Sequence, residues 1–231
     1  MKTFAMLVAM FFAALTNVYA TDIYDDYDAF YATQPGALFN APLKHEEGKI
    51  YSNDGENDIY SNFQEIIGGK TIDILISSNQ ITVNKKTYKF SQATAFPGLR
   101  TVDIYPGAAR VFVSERKSNH PQLLCLEGNG SGSGEADRYQ QIYLLMAPLT
   151  RKPAFLHLPA LLSSCKAVLA MTDGRIAFPN NTYLWNEAKD ARVGLLVAYY
   201  AFDHARFNPI NKEIRLHFLT PENPFEFSKL N

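Results

Sequence analysis

Cysteine is nearly absent from this sequence, tryptophan occurs once, and no block of like charge interrupts its 231 residues. Lysine and arginine total 22 against 23 aspartates and glutamates, a formal charge of −1, so no basic stripe exists to neutralise phosphates. Nucleic acid is therefore excluded as an expected partner. Long apolar runs are missing too, except at residues 4–15. That run is too short for a membrane helix, which needs ~20 apolar residues. With Lys2 ahead of it and Val18-Tyr19-Ala20 behind it, the opening reads as a secretory signal peptide of residues 1–20. Thr21, not a cysteine, follows the cut, which argues against a lipid anchor. The expectation is an exported or periplasmic chain of residues 21–231, with no membrane span and a charge of −2 once Lys2 is removed.

Scarce cysteine gains meaning in an exported chain. Cys125 and Cys165 would share an oxidising space, where a disulfide is the default. Closing a loop of about 40 residues stabilises a fold by roughly 4 kcal/mol in the chain-entropy model. The rival is a catalytic thiol, Cys165 beside His157, but an unpaired reactive thiol tends to oxidise in such a compartment.

Glycine is also sparse, at 13 residues, yet four fall at alternate positions in Glu127-Gly128-Asn129-Gly130-Ser131-Gly132-Ser133-Gly134-Glu135. A phosphate cradle needs G-x-x-x-x-G-K-[ST], or G-x-G-x-x-G opening a helix. Neither occurs, and the strand-like run that follows at 139–145 supplies no helix N-terminus for a phosphate. The stretch reads as a flexible hairpin connection. The serine elbow G-x-S-x-G is absent, and His45-Glu46-Glu47-Gly48-Lys49 lacks the second histidine of a zinc site. Asn53-Asp54-Gly55-Glu56-Asn57-Asp58 lacks the ligand order of a calcium loop and reads as a polar turn. No cofactor and no metal are expected.

What the chain does contain is period-two patterning. Residues 21–34 read as a short helix with Ile23, Tyr27, Phe30 and Tyr31 on one face and Asp22, Asp25, Asp26 and Asp28 around the rest, ended by Pro35-Gly36. From Thr71 onward the period is two, with Ile72, Ile74 and Ile76 on one side and a hairpin signal at Asn84-Lys85-Lys86. A second pair is expected at 101–105 and 110–115 around Pro106-Gly107, then strands at 122–127 and 139–147, and a tight turn at Asp173-Gly174 joining 166–172 to 175–178. Residues 158–164 suggest one helical turn. Residues 192–202 are apolar on both faces, the pattern of a strand covered on both sides, and 212–219 closes the series. The fold class is mainly β, a β-rich α+β chain forming an antiparallel sandwich or strongly bent sheet with one or two short helices. One domain is expected, with polar residues 114–121 the best place for a subdomain boundary.

Candidate residues fall into two groups. Asp203 and His204, followed by Arg206, and separately His157, are the candidates for acid–base chemistry, which needs a histidine within reach of a serine or a water. Tyr24, Tyr27 and Tyr31 with Asp25 and Asp28 form a candidate binding face, because tyrosine joins large contact area to a polar tip. The same rings also suit packing. The function favoured is a non-enzymatic exported domain that binds another protein, of the inhibitor, immunity or assembly type. A hydrolase with its site near Asp203/His204, and a small-ligand or glycan binder using exposed tyrosines, are the alternatives.

Overall fold

The computed structural model describes residues 22–44, 50–52, 59–67, 70–114, 122–130, 140–148, 150 and 152–230. The leader, His45, the turn at 53–58, His120 and the Gly/Ser tip at 131–134 lie outside these residues. The chain forms β1 (Ile23–Tyr24), α1 (Tyr27–Ala32), β2 (Ile50–Ser52), β3 (Ile59–Ile67), β4 (Lys70–Ser77), β5 (Gln80–Val83), β6 (Lys86–Lys89), β7 (Thr94–Ala95) and β8 (Arg110–Val113). It continues through β9 (Leu123–Asn129), β10 (Gln140–Met146), β11 (Ala154–Leu158), β12 (Leu169–Ala170), β13 (Ile176–Trp185), β14 (Arg192–Asp203), β15 (Arg206–Phe218) and β16 (Phe227–Leu230).

Among the described residues three sheets form. The first runs β2-β3-β4-β5-β6, the second β7-β11-β10-β9-β8 and the third β1-β16-β15-β14-β13-β12. Every pairing is antiparallel except that of β7 with β11. The second sheet is the middle layer. Val111, Leu124, Leu126, Tyr143 and Leu145 on one of its faces meet Phe63, Ile72, Ile74 and Ile76 of the first sheet. Phe112, Leu123, Cys125, Ile142 and Leu144 on the other meet Ile176 and Phe178 of the third, with Phe39 and Phe96 between. The far face of the third sheet is covered by α1 through Tyr27, Phe30 and Tyr31. The mainly β, sandwich-like class is thus observed.

The layer order refines one expectation. The strands fully enclosed on both faces are β9 and β10, whose unbroken apolar runs Leu123–Leu126 and Ile142–Leu145 are buried residue after residue. β14 lies inside its sheet and is covered on both faces to unequal degree: Leu195, Val197 and Tyr199 are buried in the core under α1, whereas Tyr200 and Phe202 on the other face are half-buried against the core shared with the middle sheet. Two elements differ for local reasons. The helix expected over 21–34 spans only Tyr27–Ala32, because Ile23 and Tyr24 pair with Ser228 and Phe227, and Asp26 caps the helix by accepting from the Asp28 N–H. Residues 101–105 form no strand. Pro106–Ala108 make a 3-10 turn, Ile104 bridges Gly130, and β8 pairs with β9 instead.

The turns follow their chemistry. Asn84 and Lys85 have φ of 47° and 68°, the left-handed pair of a two-residue hairpin, and Gly174 at φ 84° closes the turn before β13. Ser114 and Leu123 exchange hydrogen bonds, so the chain leaves and re-enters one sheet across the polar stretch between them. The free half of the β15 edge carries Pro209 and a bulge before Glu213, a combination that discourages pairing with another chain.

Candidate functional site

Asp203 and His204 form the tip of the β14–β15 hairpin. His204 and Ala205 take φ of 48° and 60°, and His204 Nδ1 lies 2.9 Å from Asp203 Oδ2. The His204 side chain is 90% exposed, so solvent surrounds the pair and no cleft encloses it. His157 sits elsewhere, buried on β11 across from Tyr143, with the two rings stacked at 4.6 Å. Loss of hydration brings its pKa down to about 4, so the ring is neutral. The fold does not bring His157 and His204 together. Cys165 is bonded to Cys125, which removes the thiol that a nucleophile opposite His157 would require.

The tyrosine face folds inward. Tyr31 is fully enclosed, donating to the Leu162 carbonyl at 3.2 Å and accepting from Asn181 Nδ2 at 2.8 Å. Tyr27 is buried against Phe227, with centroids 4.4 Å apart, and donates to the Pro224 carbonyl at 2.8 Å. Burial raises the pKa of both phenols. Tyr24 is half-buried, stacked on Phe227 and edge-on to Phe30. Asp25 remains at the surface, whereas Asp28 turns toward a charge cluster.

That cluster is the most unusual polar feature of the described residues. Glu127, on β9, is 0% exposed. Its Oε2 accepts the Cys165 N–H at 2.6 Å, and its Oε1 meets the guanidinium of Arg110, its register partner on β8. Arg110 also lies 3.7 Å from Asp28 Oδ2, and Lys166 Nζ lies 3.6 Å from the same oxygen. Ser164 Oγ donates to Asp28 Oδ1 and accepts the Lys166 N–H, capping the 3-10 turn Cys165–Ala167. Burial raises the Glu127 pKa, while the Cys165 N–H, Arg110 and Lys166 oppose the rise and Asp28 adds to it. Sequence reasoning singled out Asp28, for a binding face, and missed Arg110, Glu127, Ser164 and Lys166. A lone glutamate ending the apolar run Leu123–Leu126 was the signal that could have found the cluster.

A second feature is apolar. Large hydrophobic side chains are exposed along one end of the third sheet: Ile23 at 66%, Phe225 at 63%, Trp185 at 53% and Leu219 at 45%. Backbone bonds draw these distant segments together. Trp185 is paired with Arg192, Glu222 N–H donates to the Arg192 carbonyl, Leu219 N–H donates to the Glu226 carbonyl, and Ile23 pairs with Ser228. The Arg192 guanidinium lies 4.9 Å from the Tyr183 ring centroid and is held by Glu222, with Nε to Oε2 at 2.7 Å.

Among the described residues no group of three or more histidine, cysteine, aspartate or glutamate side chains is placed to hold a metal, and no helix is long and apolar enough to cross a membrane. Set against protein-family models, curated proteins and solved structures, the chain matches none of them.

Proposed function

We propose that this chain is an exported, non-enzymatic domain that binds another protein, acting as an inhibitor, immunity or assembly factor. The observation that carries the reading is the rim of Ile23, Trp185, Leu219 and Phe225, half of the eight exposed large hydrophobic side chains among the described residues, around the Arg192–Glu222 pair. Exposed aromatic and arginine side chains beside one another suit the centre of a protein interface. The rim adjoins the N-terminal segment nominated from sequence, since Tyr27 bonds to Pro224 beside Phe225. Tyr24 and Asp25 then border the surface, and Tyr27 supports it from within, whereas Asp28 faces the charge cluster.

The intramolecular disulfide is compatible with an oxidising, exported location, and the leader-like opening supports the same address. The open Asp203–His204 tip offers a hydrolase no enclosed place for substrate. Affinity capture with residues 21–231 as bait, from the exported fraction of the source cells, tests the reading. One protein enriched reproducibly at near-stoichiometric amount is expected. Repeated capture without a specific partner would contradict it.

A further inference from the structure

The charge cluster sits over the covalent bond that ties the middle sheet to the turn at 164–167. Cys125 and Cys165 are fully buried, so a reductant reaches their sulfurs only when that turn opens. Polar contacts hold it shut: the Cys165 N–H on Glu127, Ser164 Oγ on Asp28, and Lys166 beside Asp28, with Arg110 spanning both acids.

Glu127 differs from its neighbours in having no access to water. An ionised carboxylate offers about four lone-pair sites. The fold supplies this one with a backbone N–H and one guanidinium. Opening the turn would rehydrate the charge. A protonated carboxyl loses less on enclosure, its carbonyl oxygen still accepts the Cys165 N–H, and Arg110 retains Asp28. The charged groups facing Glu127 are Asp28 from α1, Arg110 from β8 and Lys166 from the turn, and the enclosing burial outweighs the two cations. The closed state therefore binds a proton more tightly than the open one. Closure is strengthened as pH falls through the raised carboxyl range and weakened as pH rises through it.

We propose that Asp28, Arg110, Glu127 and Lys166 form a proton-sensitive latch over the disulfide: with Glu127 protonated the turn stays shut over Cys165, and with Glu127 ionised it opens often enough for a reductant to reach the sulfurs. Reduction by a water-soluble trialkylphosphine reads the opening directly. The phosphine attacks one sulfur, the S–S bond breaks, and water hydrolyses the thiophosphonium to phosphine oxide and the second thiol, so the phosphine is oxidised as the disulfide becomes two thiols.

The experiment measures the reduction rate without denaturant from pH 5 to pH 8, by mass spectrometry after alkylation, divided by the rate for a small linear disulfide at each pH. Each pKa unit is worth tenfold in the opening equilibrium, and the normalised wild-type rate should rise by at least about threefold across this range. Glu127→Gln keeps an acceptor for the Cys165 N–H but cannot ionise, and should give a slow, flat profile. Arg110→Met, a change at a partly exposed position, removes the cation that favours ionised Glu127, and should move the rise to higher pH. A flat wild-type profile, a Glu127→Gln profile that rises like wild type, or an unmoved midpoint in Arg110→Met would each overturn the latch. If Glu127→Gln fails to fold, the Arg110→Met midpoint decides.

Discussion

His157 shows how a single residue ties the core to pH. The ring is enclosed against Tyr143 and its pKa falls to about 4 from 6.5. Between those values the unfolded chain binds more protons than the folded one, so stability falls as pH drops through the window, by about 3 kcal/mol at pH 4. Glu127 acts in the opposite sense, since its raised carboxyl favours the folded state as pH falls. His157→Phe keeps a ring on Tyr143 without the titrating nitrogen. Denaturant unfolding at pH 7 and pH 4 should show the wild type losing several kcal/mol more than this variant; equal losses would contradict the assignment. At this scale the sequence was only partly readable. The alternation that put His157 on the same face as Phe155 was visible, and both rings do stack on Tyr143. The fate of Tyr27 and Tyr31 was not, because amphipathic spacing says which face is apolar without saying that a sheet will cover the phenol tips.

Among the elements, hairpins were the most legible, because their turn residues carry the signal locally. Asn84-Lys85 and Asp173-Gly174 both close antiparallel pairs. The 101–105 segment failed because a non-local contact prevails: the Ile104 methyl Cγ2 lies where a Cβ on Gly128 would come within 2.7 Å, so the segment crosses the end of β9 and does not pair with β8. The first turn of the expected helix was lost to a sheet edge formed by Phe227 and Ser228, near the other end of the chain. Strand spacing is equally strict at Gly194, where an added Cβ would collide with the Leu216 carbonyl oxygen of the neighbouring strand. Backbone cannot yield as a side-chain tip can, so Gly194→Ala should cost about 2–4 kcal/mol. A urea midpoint within error of wild type would show that β14 and β15 can separate without penalty.

For the whole molecule, the class of fold could be read from period and turn chemistry, but the order of layers could not. Residues 123–126, 142–145 and 192–202 are all apolar enough for a middle sheet, and what distinguishes them is which other sheet arrives on the second face. The disulfide staples the middle sheet to the turn leading into the third, across a separation of 40 residues. Replacing both cysteines with alanine should lower stability by roughly 4 kcal/mol in the chain-entropy model. Denaturant midpoints of oxidised and variant protein that coincide would remove the staple from the account.

The exposed rim was invisible in sequence for the same reason, since the segments that carry Ile23, Trp185, Leu219 and Phe225 come together only through pairing of strands that are far apart along the chain. The measurement that bears most directly on it is parallel capture with three baits: wild type, Trp185→Ala with Phe225→Ala, and Ile66→Ala with Leu75→Ala, which carries the same kind of change on the first sheet. Each bait is checked by melting temperature and for an intact disulfide. The account expects the partner to be kept by wild type and the first-sheet variant and lost by at least about tenfold in affinity from the rim variant, since interface aromatics at a hot spot are each worth ~2 kcal/mol or more. Equal capture by all three folded baits would contradict it.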